Sequence, residues 1–332
     1  CWIKSIISMK RVWLASFVLI AVMLVCQSWG FYGHRRINRM AVFTLPPEMI
    51  GFYKRNIEFV TAHAVDPDKR RYASKNEAPR HYIDIDHYAK DGQNAFELMP
   101  RYWFDAVEKY SEDTLQAYGI VPWHVARMTN WLTKAFESKD VNRILSTSAD
   151  IGHYIADAHV PLHTTENYNG QLTNQKGIHG LWESRIPELT ADEYDYLVGR
   201  AAYIDKPIEA IWDAVEESHS HLDSVLFIEK DLTQKIPSDQ KYAFETRGAS
   251  TVKQYSQQFA LAYTNRMGDM IESRMRKAIV MVGSIWYTAW VNAGQPDLEN
   301  IGNVNEEQLA KEQKEAEDAY QKREIKGRSH DD

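Results

Sequence analysis

The segment HYIADAHVPLH, from His153 to His163, holds three of the 12 histidines in the chain and one aspartate. His153 and Asp157 are four residues apart, so a helix would place both side chains on one face, about 5–6 Å apart at Cβ. Pro161 is expected to end that helix, which leaves His163 just beyond it. Two interpretations are open: scattered polar residues at a helix end, or ligands of a metal ion.

A second pair with the same spacing favours the metal interpretation. The segment GIHGLWESRIPE places Glu183 four residues after His179. Either pair alone is more commonly structural, but two pairs joined by a loop, together with His163, indicate a metal site. Imidazole and carboxylate ligands suit zinc, whereas calcium is bound almost entirely by oxygen atoms.

Further candidate donors precede these pairs. The segment HAVDPDKRRY offers Asp66, and APRHYIDIDHY offers His81. Nearer the N-terminus, WGFYGHRRI offers His34, five residues after Trp29. If cleavage exposed Trp29, its carbonyl and its α-amine, with a pKa of about 7.7–8.0, could chelate a metal near neutral pH.

Residues 1–28 have the pattern of a signal peptide preceded by an upstream extension, with Met9 as the predicted start. Basic residues are followed by an apolar run over residues 12–26 and then by small residues at the expected cleavage positions. The alternative is an uncleaved membrane anchor, but the run is shorter than the roughly 20 residues of a membrane span. We therefore predict an exported protein, periplasmic or secreted, with no transmembrane anchor after cleavage.

Helical periodicity dominates the rest of the 332-residue chain. Apolar residues recur every three or four positions, for example across 208–228 and 249–291, and alternating strand patterns are scarce. We predict an all-α fold, with a single-domain, multi-helix bundle over residues 29–304. Residues 305–332 have few core-forming side chains and are predicted to form a charged tail that is disordered or partly helical. The net charge of −7 disfavours strong nonspecific binding to polyanions.

The order of the candidate ligands resembles the zinc-dependent phospholipase C and single-strand-specific nuclease superfamily. The shared pattern is Trp–x4–His, Asp–x14–His–Tyr, His–x3–Asp–x5–His and His–x3–Glu, and it extends from Trp29 to about Pro187. The resemblance implies a helical bundle around a trinuclear zinc cluster. It also implies a hydrolase of phosphoric ester bonds in which a zinc-activated water attacks the phosphate.

The resemblance assigns ligands by position to three zinc ions, with Asp157 bridging the first and the third. The implied sets are Asp66, His81 and His153 for the first ion, His163, His179 and Glu183 for the second, and Trp29 with His34 for the third. Asp66 is also the predicted catalytic carboxylate, and Lys69 matches a lysine that faces the phosphate. The alternative for Lys69 is an ordinary surface lysine.

The substrate class is less clearly marked by the sequence. Glu183 resembles the phospholipase branch, since the nucleases usually carry aspartate there, whereas Lys69 is nuclease-like. The leading expectation is a phospholipid head-group ester, the main alternative is single-stranded DNA or RNA, and the third is a non-catalytic metal-binding surface protein. The loop 164–177 supplies two predicted substrate contacts, Asn167 and Tyr168, of which Tyr168 could stack on a base.

Overall fold

The structure is a computed structural model that describes residues 31–302, apart from 91 and 248–249, and four separate positions at 307, 311, 314 and 318. The predicted signal peptide, the predicted ligand Trp29 and the rest of the predicted tail lie outside the described residues.

The described chain is mainly helical, which confirms the all-α prediction. Short 3₁₀ turns join many of the helices. In chain order the α-helices are α1 (Tyr32–Ala41), α2 (Pro47–Arg55), α3 (Ile57–Ala62), α4 (Asp66–Arg70), α5 (Ala95–Leu98), α6 (Trp103–Tyr110), α7 (Glu112–Tyr118), α8 (Val121–Glu137), α9 (Val141–Ala158), α10 (Ile178–Gly180), α11 (Ile186–Thr190), α12 (Pro207–Ser220), α13 (Leu222–Lys235), α14 (Ser238–Lys241), α15 (Gln257–Met267) and α16 (Met270–Asn292).

A small antiparallel hairpin interrupts the helices. Its strands are β1 (Tyr242–Arg247) and β2 (Ser250–Tyr255), and Glu245 lies opposite Val252. The helical pattern predicted over 249–291 is therefore wrong at its start. The β-branched residues there favour extended backbone, and pairing with β1 satisfies their hydrogen bonds.

Two hydrophobic cores organise the molecule. The larger one is built by α1, α2, α8, α9, α12 and α16, and includes the ring of Tyr53 stacked on Trp286 at 4.7 Å. The smaller one joins the segment 160–186 to α13 and α15 through side chains such as Trp182 and Phe259. The chain passes from the first core to the second between His153 and His179, so the predicted ligand segments lie where the cores adjoin.

Gly152 allows α1 to approach α9 closely. A Cβ atom at this position would lie 2.0 Å from Oδ1 of Asn38, which is too close for any real contact. The Asn38 amide is fully buried and donates to the backbone carbonyls of Val60 (3.2 Å) and Ala149 (3.0 Å). This contact fixes α1 against α9 one residue before His153.

None of the helices in the described part of the chain combines the length and apolar composition that a bilayer span requires.

Candidate metal centre

Helix α9 presents the first pair of donors. Its N-terminus is capped by Asp140, whose side chain accepts from the Arg143 backbone N–H, and its buried residues continue to Ala158. His153 and Asp157 are both buried, and His153 Nε2 lies 3.3 Å from Asp157 Oδ2. The four-residue spacing therefore brings both side chains to one face of the helix, as predicted.

His34 reaches the same place from α1. Its ring stacks on that of His153 with the centroids 4.0 Å apart, and its Nε2 lies 3.5 Å from Asp157 Oδ1. The close approach at Gly152 makes this stacking possible, because it sets the separation of the two helices.

The second pair lies on an unusual turn. His179 belongs to α10, but Glu183 lies in a π-helical turn, Leu181–Arg185. Pro187 has no N–H to donate to the Glu183 carbonyl, which favours the wider turn. His179 Nε2 nevertheless lies 2.6 Å from Glu183 Oε2, and His163 Nε2 lies 3.3 Å from the same oxygen.

The donor atoms of these side chains overlap in space. Within the described residues, their imidazole nitrogens and carboxylate oxygens form groups whose atoms all lie within 4.8 Å of one another. The groups are His34, Asp68 and His153; His81, His153 and Asp157; His163, His179 and Glu183; and His34, Asp157 and Glu183. Asp157 and Glu183 each belong to two of them, so the groups join into one cluster.

Asp68 occupies the place in this cluster that the sequence resemblance gave to Asp66. Asp68 Oδ1 lies 3.5 Å from His153 Nε2 and 3.7 Å from His81 Nδ1. Asp66 instead contacts His63, and one of its oxygens lies 3.4 Å from Lys69 Nζ.

Spacing could not distinguish the two aspartates. They open α4 directly after a 3₁₀ turn, and two residues of helix turn the side chain by roughly 200°. The sequence offered one signal for Asp68 as a candidate ligand, which is its place in the same Asp-Pro-Asp segment as Asp66.

The electrostatics of the cluster favour a positive charge at its centre. Burial raises the pKa of Asp157, but the charges of His153 and His163 outweigh it and hold that pKa well below its usual range. Burial likewise raises the pKa of Asp68, but the charges of His153 and His81 outweigh this effect and lower that pKa to about 2. Burial lowers the pKa of His153, but Asp157 and Asp68 raise it well above its ordinary value.

This arrangement fits a metal ion. The side-chain partners of Asp157 are the four imidazoles of His34, His81, His153 and His163, and no arginine or lysine of the described chain pairs with it. A buried carboxylate needs a positive charge beside it. Without a metal ion, the imidazoles provide that charge only if they are protonated. Zinc could replace those protons, because neutral imidazole and carboxylate are ligands that it prefers.

The loop 164–177 supports His179. Nδ1 of His179 donates to the Tyr168 carbonyl (3.2 Å), and its backbone N–H donates to Oδ1 of Asn169 (3.3 Å). Oδ1 of Asn169 also accepts from the Gly177 backbone N–H at 2.9 Å. Asn169, which sequence reasoning missed, therefore holds a candidate ligand in position.

The two predicted substrate contacts differ in their surroundings. The side chain of Asn167 is buried and bonded within the loop, donating to Thr173 Oγ1 and accepting from the Leu172 backbone N–H. Tyr168 is partly exposed, and its ring lies edge-on to His179 at 6.4 Å. Tyr168 is thus better placed than Asn167 to meet a substrate beside the cluster.

A buried carboxylate anchors the far end of this loop. Glu229 is fully buried on α13, and Nε2 of Gln175 donates to it at 2.6 Å. Lys241 Nζ (2.7 Å) and Tyr255 Oη (3.0 Å) bind the same carboxylate from the base of the hairpin. The loop is therefore tied to both α13 and the hairpin.

Comparison with known protein families gives a match. A family model described as S1/P1 Nuclease matches residues 29–285, which is more than half of the chain. No curated protein sequence matches the chain. The family match confirms the resemblance seen in the order of the candidate ligands.

Proposed function

The chain belongs to the S1/P1 nuclease family, and we propose that it is an exported zinc enzyme that hydrolyses phosphodiester bonds in single-stranded nucleic acid. Hydrolysis of phosphodiesters is the chemistry that the family match supports. The observation that carries the proposal is the buried cluster, in which the candidate ligand groups share Asp157 and Glu183.

We assign the cluster to three zinc ions, with Asp68 in the place first given to Asp66. The proposed ligands are Asp68, His81 and His153 for the first ion, His163, His179 and Glu183 for the second, and Trp29 with His34 for the third, with Asp157 shared between the first and third. Bound zinc would supply Lewis acidity, lowering the pKa of water at the site and stabilising negative charge on the phosphate.

The protein's own side chains have distinct roles in this proposal. Asp157 supplies the carboxylate shared between two ions, since its Oδ2 lies 2.9 Å from His81 Nδ1 and 3.3 Å from His153 Nε2, the nitrogens that face the cluster. Lys69 follows the proposed ligand Asp68 in the chain, and its Nζ lies 3.4 Å from Asp66 Oδ1, which helps to hold the lysine in place. Lys69 would there meet the negative charge of a phosphate, which is the predicted catalytic role.

Positive charge near the cluster supports a nucleic-acid substrate. Arg35 follows the ligand His34 in the chain and interacts electrostatically with Asp66. Arg35 on α1 and Lys69 on α4 are thus two cations next to candidate ligands in the chain, although the whole chain is acidic. Phosphate backbones are recognised largely by such cations.

The proposal is tested by offering one zinc-loaded preparation a single-stranded DNA oligonucleotide, the matching duplex and phosphatidylcholine vesicles. We expect zinc-dependent cleavage of the single strand that EDTA abolishes and added zinc restores. Tyr168→Ala should reduce this cleavage while sparing a small chromogenic phosphodiester, because base stacking contributes about 1–3 kcal/mol per base. Tyr203→Ala, which removes an exposed tyrosine outside the loop 164–177, is the control.

Phospholipid head-group esters, the leading expectation from the sequence, are the second candidate substrate. The observation in favour is the carboxylate ligand Glu183, which resembles the phospholipase branch. Hydrolysis of phosphatidylcholine without cleavage of the oligonucleotide would favour this candidate over the nuclease. Failure on every phosphodiester, with zinc bound, would instead favour a non-catalytic metal-binding protein.

A further inference from the structure

His81 differs from three other candidate ligands in what lies behind its ring. In those three histidines, the ring nitrogen that faces away from the cluster donates to the backbone carbonyl of another residue. His153 donates to Ala64 (2.9 Å), His163 to His81 (2.6 Å) and His179 to Tyr168 (3.2 Å). Behind His81 there is a carboxylate instead. Oε1 of Glu77 lies 3.7 Å from His81 Nε2.

His81 also uses the opposite ring nitrogen toward the cluster. Its Nδ1 lies 2.9 Å from Asp157 Oδ2, 3.1 Å from His153 Nε2 and 3.7 Å from Asp68 Oδ1. The tautomer with the proton on Nε2 is the one that leaves the Nδ1 lone pair available to a metal. The Glu77 carboxylate, 3.7 Å from Nε2, is farther than a hydrogen bond, but its negative charge attracts a proton on that nitrogen and so favours this tautomer.

Glu77 is itself fixed in place. The residue is 1% exposed, and Arg80 Nη1 donates to its Oε2 at 2.8 Å. Arg70 Nε lies 3.6 Å from the same oxygen, and the Tyr154 hydroxyl donates to Oε1. A buried carboxylate surrounded by these donors keeps its charge and its orientation.

From these contacts we infer that Glu77 is a positioning residue for the metal ligand His81, holding its proton on Nε2 and its Nδ1 toward the cluster. The inference rests on the proposed function only in taking the cluster to bind zinc. Carboxylates in this position orient a ligating imidazole and increase its basicity. They typically contribute about 10–100-fold in metal affinity.

The test is the zinc affinity of Glu77→Gln, measured on the full-length mature protein by competition with a chelator and by metal analysis. We expect one zinc to bind about 10–100-fold more weakly while the others keep their wild-type affinity. Wild-type affinity for every zinc in the folded variant would overturn the inference.

Asp150→Asn is the matched control, because Asp150 pairs with the same Arg70 (2.8 Å) but belongs to none of the ligand groups. It should leave zinc affinity unchanged. An equal loss in Asp150→Asn would show that the order of the ion-pair network, and not the contact with His81, sets the affinity, and would also overturn the inference.

A second variant covers the case in which Glu77→Gln fails to fold. Glu77→Asp keeps a negative charge in the network of Arg70 and Arg80, but its shorter side chain places the carboxylate farther from His81, so zinc affinity should be reduced. Wild-type affinity in this variant would contradict the inference. Because zinc binding is measured apart from cleavage, an inactive protein with tight zinc would overturn the proposed function alone.

Discussion

Replacing Asp157 by asparagine should disturb two zinc ions with one substitution. The side chain is almost completely buried, and its oxygens lie 2.9–3.9 Å from the nitrogens of four histidines. Removing one partner of such a buried ionic group costs about 3–5 kcal/mol. Since about 1.4 kcal/mol is a tenfold change, a loss of this size in zinc binding corresponds to roughly two to three and a half orders of magnitude in zinc affinity.

The assay is zinc content by mass spectrometry after dialysis against buffers of fixed free zinc. Wild-type protein should retain three ions at a free-zinc concentration at which Asp157→Asn retains one. His159→Ala is the control on the same helix, because His159 is buried and neutral, with a pKa lowered to about 3 by burial and by Arg274, but belongs to none of the ligand groups. Equal zinc content in wild type and Asp157→Asn, or a larger loss in His159→Ala, would refute the assignment.

Three other predictions concern the surroundings of the cluster. Gly152→Ala should force α1 away from α9, which should lower the free energy of unfolding in urea by about 1–3 kcal/mol and weaken zinc binding through His34. An unchanged free energy of unfolding would contradict the close contact with Asn38. Burial and Arg80 hold the pKa of His124 well below its ordinary value. Below about pH 6.5 the unfolded chain therefore binds a proton at this position that the folded chain does not bind, and the free energy of unfolding falls as the pH decreases. His124→Leu should reduce that slope by up to about 1.4 kcal/mol per pH unit, and identical slopes in paired urea titrations would show that His124 titrates normally. Extra residues ahead of Trp29 should remove one zinc and most activity, whereas three bound ions and full turnover would exclude the α-amine as a ligand.

Much of the candidate site followed from helical spacing. His153 and Asp157 could be paired from the sequence because a four-residue spacing has one geometric meaning on a long helix. His179 and Glu183 also come together, although the turn between them is π-helical, because Glu183 can still reach back to the preceding imidazole.

Other features depended on contacts that spacing does not encode. The choice of Asp68 over Asp66 depends on the direction in which a short helix leaves a 3₁₀ turn. Glu77 belongs to the site only because the fold brings Tyr154 and the ring of His81 to its two sides. The hairpin was missed because strand pairing, not local periodicity, decides the conformation of Tyr242–Arg247 and Ser250–Tyr255.

The central claim is that the overlapping groups around Asp157 and Glu183 bind zinc. An anomalous difference map, recorded from crystals of the mature protein on either side of the zinc absorption edge, tests it directly. We predict three peaks, one bounded by Asp68, His81 and His153, one by His163, His179 and Glu183, and one beside His34. A zinc-replete, active protein without peaks among these side chains would contradict the claim.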